Sequence, residues 1–536
     1  MQNELTGNST AECRRGRLRA DAQRKVFFVL IVAPLVLIAN QVYCAEAPDP
    51  LLDILLKKGI LTEQEAQQVQ AEVARRTNGT TAAAMESKWN IGKAIKNVEL
   101  FGDVRFRYEH RQADLPSGDR LELDRERYAI RFGLRGDVFD DFYYGLRVET
   151  SANPRSTWIS FGTSASGIPY QGPFGKSTAS LAIGQAYVGW RPADWVDLTL
   201  GKMPNPLFTS SMVWDGDLNP EGTAEHFKHS VGNADFFANF GQFLYQDVNP
   251  SYASPNLLIG QFRAPSADST FLLAWQGGLT YHFTENVSAK VAATLYDYLG
   301  GGATNVTPYF GDLFVGEGSY LGPGSAQPVY GLSGYPASGA LTYNGYPNNQ
   351  NAVNHLFVLE IPFEVNFKFK HVDARVFGGV AYNFDGGKRA EEAAAGYAYW
   401  LGLNGGKVAA FSPQRDDVWA YQIGLAIGST NSLGLVSGST CRKHAWELRT
   451  YWQHVEQYAL DPNLLDSDFF EGRGNMEGIY AAIAYGLTDN LILTGRYGYG
   501  TRINDKLGTG GSNQDMPQVN PIDEFSLLQF DLTLKF

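Results

Sequence analysis

The sequence predicts an all-β protein: a transmembrane antiparallel β-barrel of about sixteen strands, preceded by a short periplasmic helical hairpin. Three observations carry this. The chain ends inside a strand. In Phe525 to Phe536, FSLLQFDLTLKF, Phe530, Leu532, Leu534 and Phe536 fall on one side, and Gln529, Asp531, Thr533 and Lys535 on the other. Alternation of this kind recurs from Val98 onward without long apolar runs. Short and long connections also take turns between the alternating segments, as in bacterial barrels with tight periplasmic turns and long external loops.

Composition agrees. Charged residues are 19%, below the usual ~25% of soluble domains. Aromatics reach 13% and glycine 58 residues against only 6 methionines, which suits interfacial girdles better than one compact core. The net charge of −12 argues against a nucleic-acid partner. Of the three cysteines, Cys13 and Cys44 lie in the leader, so Cys441 stands alone. The mature chain therefore has no internal disulfide and no cysteine-based zinc site, and no cofactor is expected.

The chain opens with Arg14, Arg15, Arg17, Arg19, Arg24 and Lys25, then the apolar run 26–39, then a small residue at Ala45. That is the pattern of a secretory signal peptide over 1–45, with an apolar core too short to span a bilayer. The mature chain then begins near Glu46. Residues 1–45 hold six Lys/Arg and three Asp/Glu, so their removal takes the charge from −12 to −15. Over 46–77 two short helices are predicted. Leu51, Leu52, Leu55 and Leu56 share one face of the first, Gly59 stops it, and Thr62 with Glu65 forms a capping box for the second. A polar linker, 78–97, leads to the barrel at 98–536.

Sixteen strands follow. The first, 99–109, sets Leu100, Val104, Phe106 and Tyr108 against Asp103, Arg105, Arg107 and Glu109. The second, 125–138, sets Tyr128, Ile130, Phe132 and Leu134 against Arg127, Arg131 and Arg135. The third opposes Tyr144, Leu146 and Val148 to Arg147 and Glu149. Further strands are expected near 181–191, 195–202, 222–231, 233–246, 270–283, 286–298, 355–367, 371–384, 417–428, 443–456, 477–487, 490–501 and 525–536. The least regular pair is 222–231 with 233–246, where Phe236, Phe237, Phe240 and Phe243 do not alternate cleanly. Closure follows because an open sheet edge in hydrocarbon leaves backbone groups unpaired. About sixteen strands leave room for an aqueous channel. The longest connections, 299–353 and 385–415, read as external loops over the mouth.

The third long connection follows Gly201-Lys-Met-Pro-Asn-Pro206 and runs LFTSSMVWDGDLNPE to Glu221. It is proline-rich, hence stiff, and acidic through Asp215, Asp217 and Glu221. Folded into the lumen, it would set these carboxylates against Arg105, Arg107, Arg127, Arg131 and Arg147, a charged constriction that sets ion preference. The competing expectation is that the arginines pair with Glu109, Glu126 and Glu149 and only satisfy the wall. A basic ladder would suit phosphate, but the acidic connection and the net charge oppose strong anion selectivity.

The stretches GKMPNP and WDGDLNPEG, with the N-terminal LLDILLKKGILTEQEA, resemble those of the putative porin family of bacterial outer-membrane barrels, relatives of the phosphate-selective porins. The C-terminal Phe530, Leu532, Leu534 and Phe536 resemble the assembly signal of outer-membrane barrels generally. The resemblance implies a passive diffusion channel for small hydrophilic solutes, often a homotrimer, with the third loop in the pore. Its implied partners are outer-membrane lipid, lipopolysaccharide and the barrel assembly machinery. Two other functions compete: a structural barrel tethering membrane to cell wall through its N-terminal helices, and a barrel enzyme. The histidines, among them His110, His226, His229, His282, His355, His371 and His454, lie in no nucleophile motif, and there is no G-x-S-x-G.

Overall fold

The structure, a computed structural model, describes residues 95–139, 141–151, 156–162, 180–246, 270–299, 332–333, 342–343, 355–391, 394, 412–509 and 522–536. The leader, the helical hairpin, nearly all of the linker and most of the two longest connections lie outside the described residues.

Sixteen strands form one closed antiparallel barrel. They are β1 (Glu99–Asp114), β2 (Arg120–Val138), β3 (Phe142–Ser151), β4 (Ser180–Ala193), β5 (Val196–Lys202), β6 (Glu221–Val231), β7 (Ala234–Gln246) and β8 (Thr270–Thr284), then β9 (Val287–Leu299), β10 (Phe357–Lys368), β11 (Val372–Asn383), β12 (Trp419–Ser429), β13 (Trp446–Val455), β14 (Met476–Gly486), β15 (Leu491–Arg502) and β16 (Glu524–Lys535). The barrel shuts where β1 pairs with β16, from Asp103↔Lys535 to Asp114↔Glu524. A two-residue strand, Ile159–Ser160, adds to β2, and a small separate hairpin joins Leu332–Ser333 to Thr342–Tyr343.

The registers fix which face each residue takes. On the arginine-bearing strands Arg105, Arg107, Arg127, Arg131 and Arg147 point inward. The outer face carries Leu100, Phe106, Ile130, Phe132, Leu146, Phe530, Leu534 and Phe536, all exposed, as expected of a wall that meets lipid. Near the short-turn end the outer face is aromatic: Phe142 stacks on Trp190 at 5.7 Å, Trp195 meets Phe227 at 6.2 Å, and Tyr281 meets Phe283 at 4.9 Å. The irregular phenylalanines have a simple explanation. Phe236 and Phe240 face out, while Phe237 and Phe243 face into the lumen, where Phe243 packs edge-on against Trp214.

One feature differs from the sequence expectation, and a second adds to it. The β1–β2 hairpin is longer than predicted and ends in a tight turn at 115–119. Its outward residues beyond Tyr108 are polar, including Asp114 paired with Arg120, because this part rises above the apolar band. At the opposite end, where other turns span two to four residues, the connection 430–445 is long and folds inward. Leu435 and Val436 are buried, and Glu447 accepts from the Gly434 and Val436 amides at 2.8 and 2.9 Å. Lys535 donates to the Gly438 carbonyl.

Candidate functional site

The third connection, 203–220, does fold into the lumen. Its base is closed by the Met203 amide donating to the Pro220 carbonyl at 2.9 Å. It then crosses the barrel. Gln276 of β8 grips the Phe208 backbone at both its amide (2.9 Å) and carbonyl (2.7 Å). Beyond it, Glu360 of β10 accepts from the Ser210 amide and hydroxyl, from Thr209 and from Tyr296, all at 2.7–2.8 Å. A fully buried carboxylate with four donors is satisfied, so it acts as a clamp instead of a liability. Met203, Leu207, Met212, Val213 and Trp214 pack beneath it in one apolar cluster.

A second inserted connection was not foreseen. Residues 456–475, between β13 and β14, also drop into the lumen. Leu460, Leu464 and Leu465 join the cluster under the third connection, while Phe469 and Phe470 join a second one against β14 and β15. Phe470, Glu471 and Asn475 adopt positive φ of 58–59°, a conformation that tertiary contacts must impose on side-chain-bearing residues. Glu471 supplies them, accepting from Arg111 at 3.2 Å and from Arg473 at 2.9 Å.

This second connection decides where the predicted site residues stand. Asp215 faces it and not the arginine wall: the Asp215 amide donates to the Leu464 carbonyl, and its carboxylate accepts from Ser467 at 2.8 Å (hydroxyl) and 3.1 Å (amide). Asp217 does meet the wall, with Arg131 at 2.6 Å. Glu221 lies on the outer face of β6 beside Lys202, at 2.7 Å, and so takes no part in the lumen. The place foreseen for Asp215 is taken by Asp468, which faces Arg107 at 2.7 Å. Arg107 is doubly held, since Asp531 also receives it at 2.7 and 2.9 Å, and its guanidinium lies 4.1 Å above the Trp158 ring.

The remaining arginines are paired as well. Arg105 bridges to Asp103 at 2.7 Å, Arg127 lies 3.6 Å from Glu109, and Arg147 lies 3.0 Å from Glu149. Arg125 also contacts Glu109. The wall-satisfying expectation therefore describes Glu109 and Glu149, whereas Glu126 faces outward. What remains in contact with water is narrow. The side chains of Asp217 and Asp468 are 38% and 36% exposed and that of Arg105 is 21% exposed, while Arg107 and Arg131 are nearly covered.

Electrostatics separate the acids further. Burial, reinforced by Asp217, pushes Asp215 up to about 6. Burial also drives Asp466 well above the usual range, helped by Asp215 and Asp468. Burial would raise Asp217 too, but Arg131 and Arg105 hold it below the usual value. Arg107 and Arg496 do the same for Asp468. Of these four acids, Asp217 and Asp468, which face the arginines, are the two held ionised.

One sequence signal could have found the second connection. Its run DPNLLDSDFFEG mixes proline, acids and apolar residues as the third connection does.

Solved barrels of similar fold include an anion-selective porin from Comamonas acidovorans (11% identity, 82% of this chain, 99% of that chain, TM-score 0.40). OmpT of Vibrio cholerae is another (9%, 83% and 100%, TM-score 0.36), as is a mutant of the Rh. blastica porin (8%, 82% and 100%, TM-score 0.34). No curated protein matches the sequence. Residues 113–310 match the family profile described as putative porin. The match holds Arg127, Arg131, Arg147 and the whole third connection, so across those residues the chain carries the putative porin pattern.

Proposed function

We propose that the protein is an outer-membrane porin, a water-filled channel for passive diffusion of small hydrophilic solutes and ions. The observation that carries this reading is the contrast of faces: a closed barrel apolar outside, with water-exposed Asp217 and Asp468 set against inward arginines. Solutes pass beside the ion pairs that join the β1–β3 wall to the two inserted connections. There, opposed charges across a narrow gap orient polar solutes and set a modest ion preference. Arg105, Arg107, Arg127, Arg131 and Arg147 form one side of that gap; Asp217 and Asp468 form the other. Planar-bilayer recording tests this. Purified, heat-modifiable barrel should give discrete, long-lived conductance steps that scale with salt. Folded barrel that inserts and never conducts would overturn it.

A further inference from the structure

Across the lumen from the arginines, beneath the root of the third connection, lies a cavity of about 310 Å³ between that connection and β6–β9. Its size is at the lower end of those that hold small ligands. One plate is Phe208 of the connection and the other is Phe237 of β7. Lys290 of β9 sits between them, its Nζ 4.1 Å from one ring centroid and 4.9 Å from the other. Lys228 lines the same space. Among the described residues neither lysine has a carboxylate within ion-pair distance, unlike the arginines opposite. Two acids lie nearby and both are engaged: Asp235 accepts from Ser230 at 2.6 Å and lies 2.8 Å from His282, and Glu364, the cross-strand neighbour of Lys290, lies 3.5 Å from Arg375.

Phe237 is held in place. Its ring lies across Gly278, where an added Cβ would meet it at 2.1 Å. The plate is therefore preformed, and only glycine at 278 permits it. An ammonium resting on ring faces keeps N–H donors free for an anion, and the rings offer apolar area beside it.

We propose that this cavity is a solute subsite for small monocarboxylates with a flat apolar body, benzoate-like acids. It rests on the channel reading and names a solute class for it. The carboxylate meets Lys290 and Lys228, and the apolar body lies beside the ammonium against the Phe208 and Phe237 rings. Cationic solutes meet two like charges, and short aliphatic acids forgo the ring contacts.

The test uses the full chain in detergent micelles, with benzoate, acetate and benzylamine as probes and saturation-transfer NMR as the readout. Benzoate should bind saturably with a Kd on the order of millimolar, at least about tenfold tighter than acetate or benzylamine. Lys290→Gln and Phe237→Leu should each weaken it by about tenfold, the scale of one charge-assisted or aromatic contact. Lys443→Gln, on the exposed short-turn side, should leave it unchanged. Equal benzoate affinity in Lys290→Gln, Phe237→Leu and wild type, or no saturable binding by the folded wild type, would overturn the proposal. The readout needs no current. Binding without conductance would sink the channel reading alone, and conductance without benzoate binding would sink the subsite alone.

Discussion

The two sides of the lumen carry similar cations and use them differently. On β1–β3 the inward arginines are matched by carboxylates, partly from the strands (Asp103, Glu109, Glu149, Asp531) and partly from the inserted connections (Asp217, Asp468). On β6 and β9, Lys228 and Lys290 meet ring faces and open space. Arginine's planar fork suits bidentate, buried pairing, whereas the lysine ammonium is a flexible point charge. The difference teaches that a row of inward cations does not by itself make an anion path. What counts is whether a partner closes on each one.

The largest effect should come from breaking the closed side. Asp531 is buried and receives both Arg107 and Arg496. Asp531→Ala leaves buried guanidinium groups short of a counter-ion and should cost about 3–5 kcal/mol. Lys290→Ala, losing cation–π contacts and a longer-range attraction to Glu364 but no close ion pair, should cost about 0.5–2 kcal/mol. Comparing the temperatures at which the two variants lose the compact, heat-modifiable band on gels checks this. Equal losses would erase the contrast between the sides.

The third connection joins them, and Glu360 is its far anchor. Glu360→Gln keeps the size but loses charge-assisted bonds, each worth about 1.5–3 kcal/mol. The barrel should still fold, with open-channel current noisier than wild type. Unchanged noise would mean that the anchor is not needed to hold the connection still.

A smaller effect is set by pH. Asp215 titrates near 6 in the fold against an ordinary 3.8, so the folded state binds its proton more tightly. The contact between the two inserted connections is therefore firmest below about pH 4 and loosens as pH rises through 6. Asp466 beside it is raised too, by burial and by the neighbouring Asp215 and Asp468. Current fluctuations should grow between pH 4.5 and 7.5, and Asp215→Asn should remove most of that change. Identical pH profiles in variant and wild type would contradict it.

Much of this fold was legible. The two-residue period that places Val104, Phe106 and Tyr108 outside and Arg105 and Arg107 inside is a local signal, and hydrocarbon on one face enforces it strand after strand. The third connection was legible because its prolines preclude a strand. The second inserted connection was not, since its position depends on partners hundreds of residues away: Arg107 and Arg111 for Asp468 and Glu471. That single omission is why Asp215 was placed at the arginine wall. Glu221 misled for a simpler reason. It begins β6, and one step of register decides between lumen and lipid face. The inward turn of Phe237 was equally hidden, because it depends on Gly278 in the neighbouring strand.

The central claim is that exposure, set by the second inserted connection, decides which acids act on passing ions. Reversal potential at pH 5 in one fixed salt gradient tests it most directly, comparing Asp217→Asn with Asp215→Asn. At that pH Asp215 is largely protonated and buried against Ser467, while Asp217 stays ionised and in contact with water. Asp217→Asn should shift the potential toward anion preference, and the shift should shrink at ~1 M salt, where the Debye length falls to about 3 Å. Asp215→Asn should leave the potential where it was. Equal shifts in both variants, or a shift only in Asp215→Asn, would contradict the account.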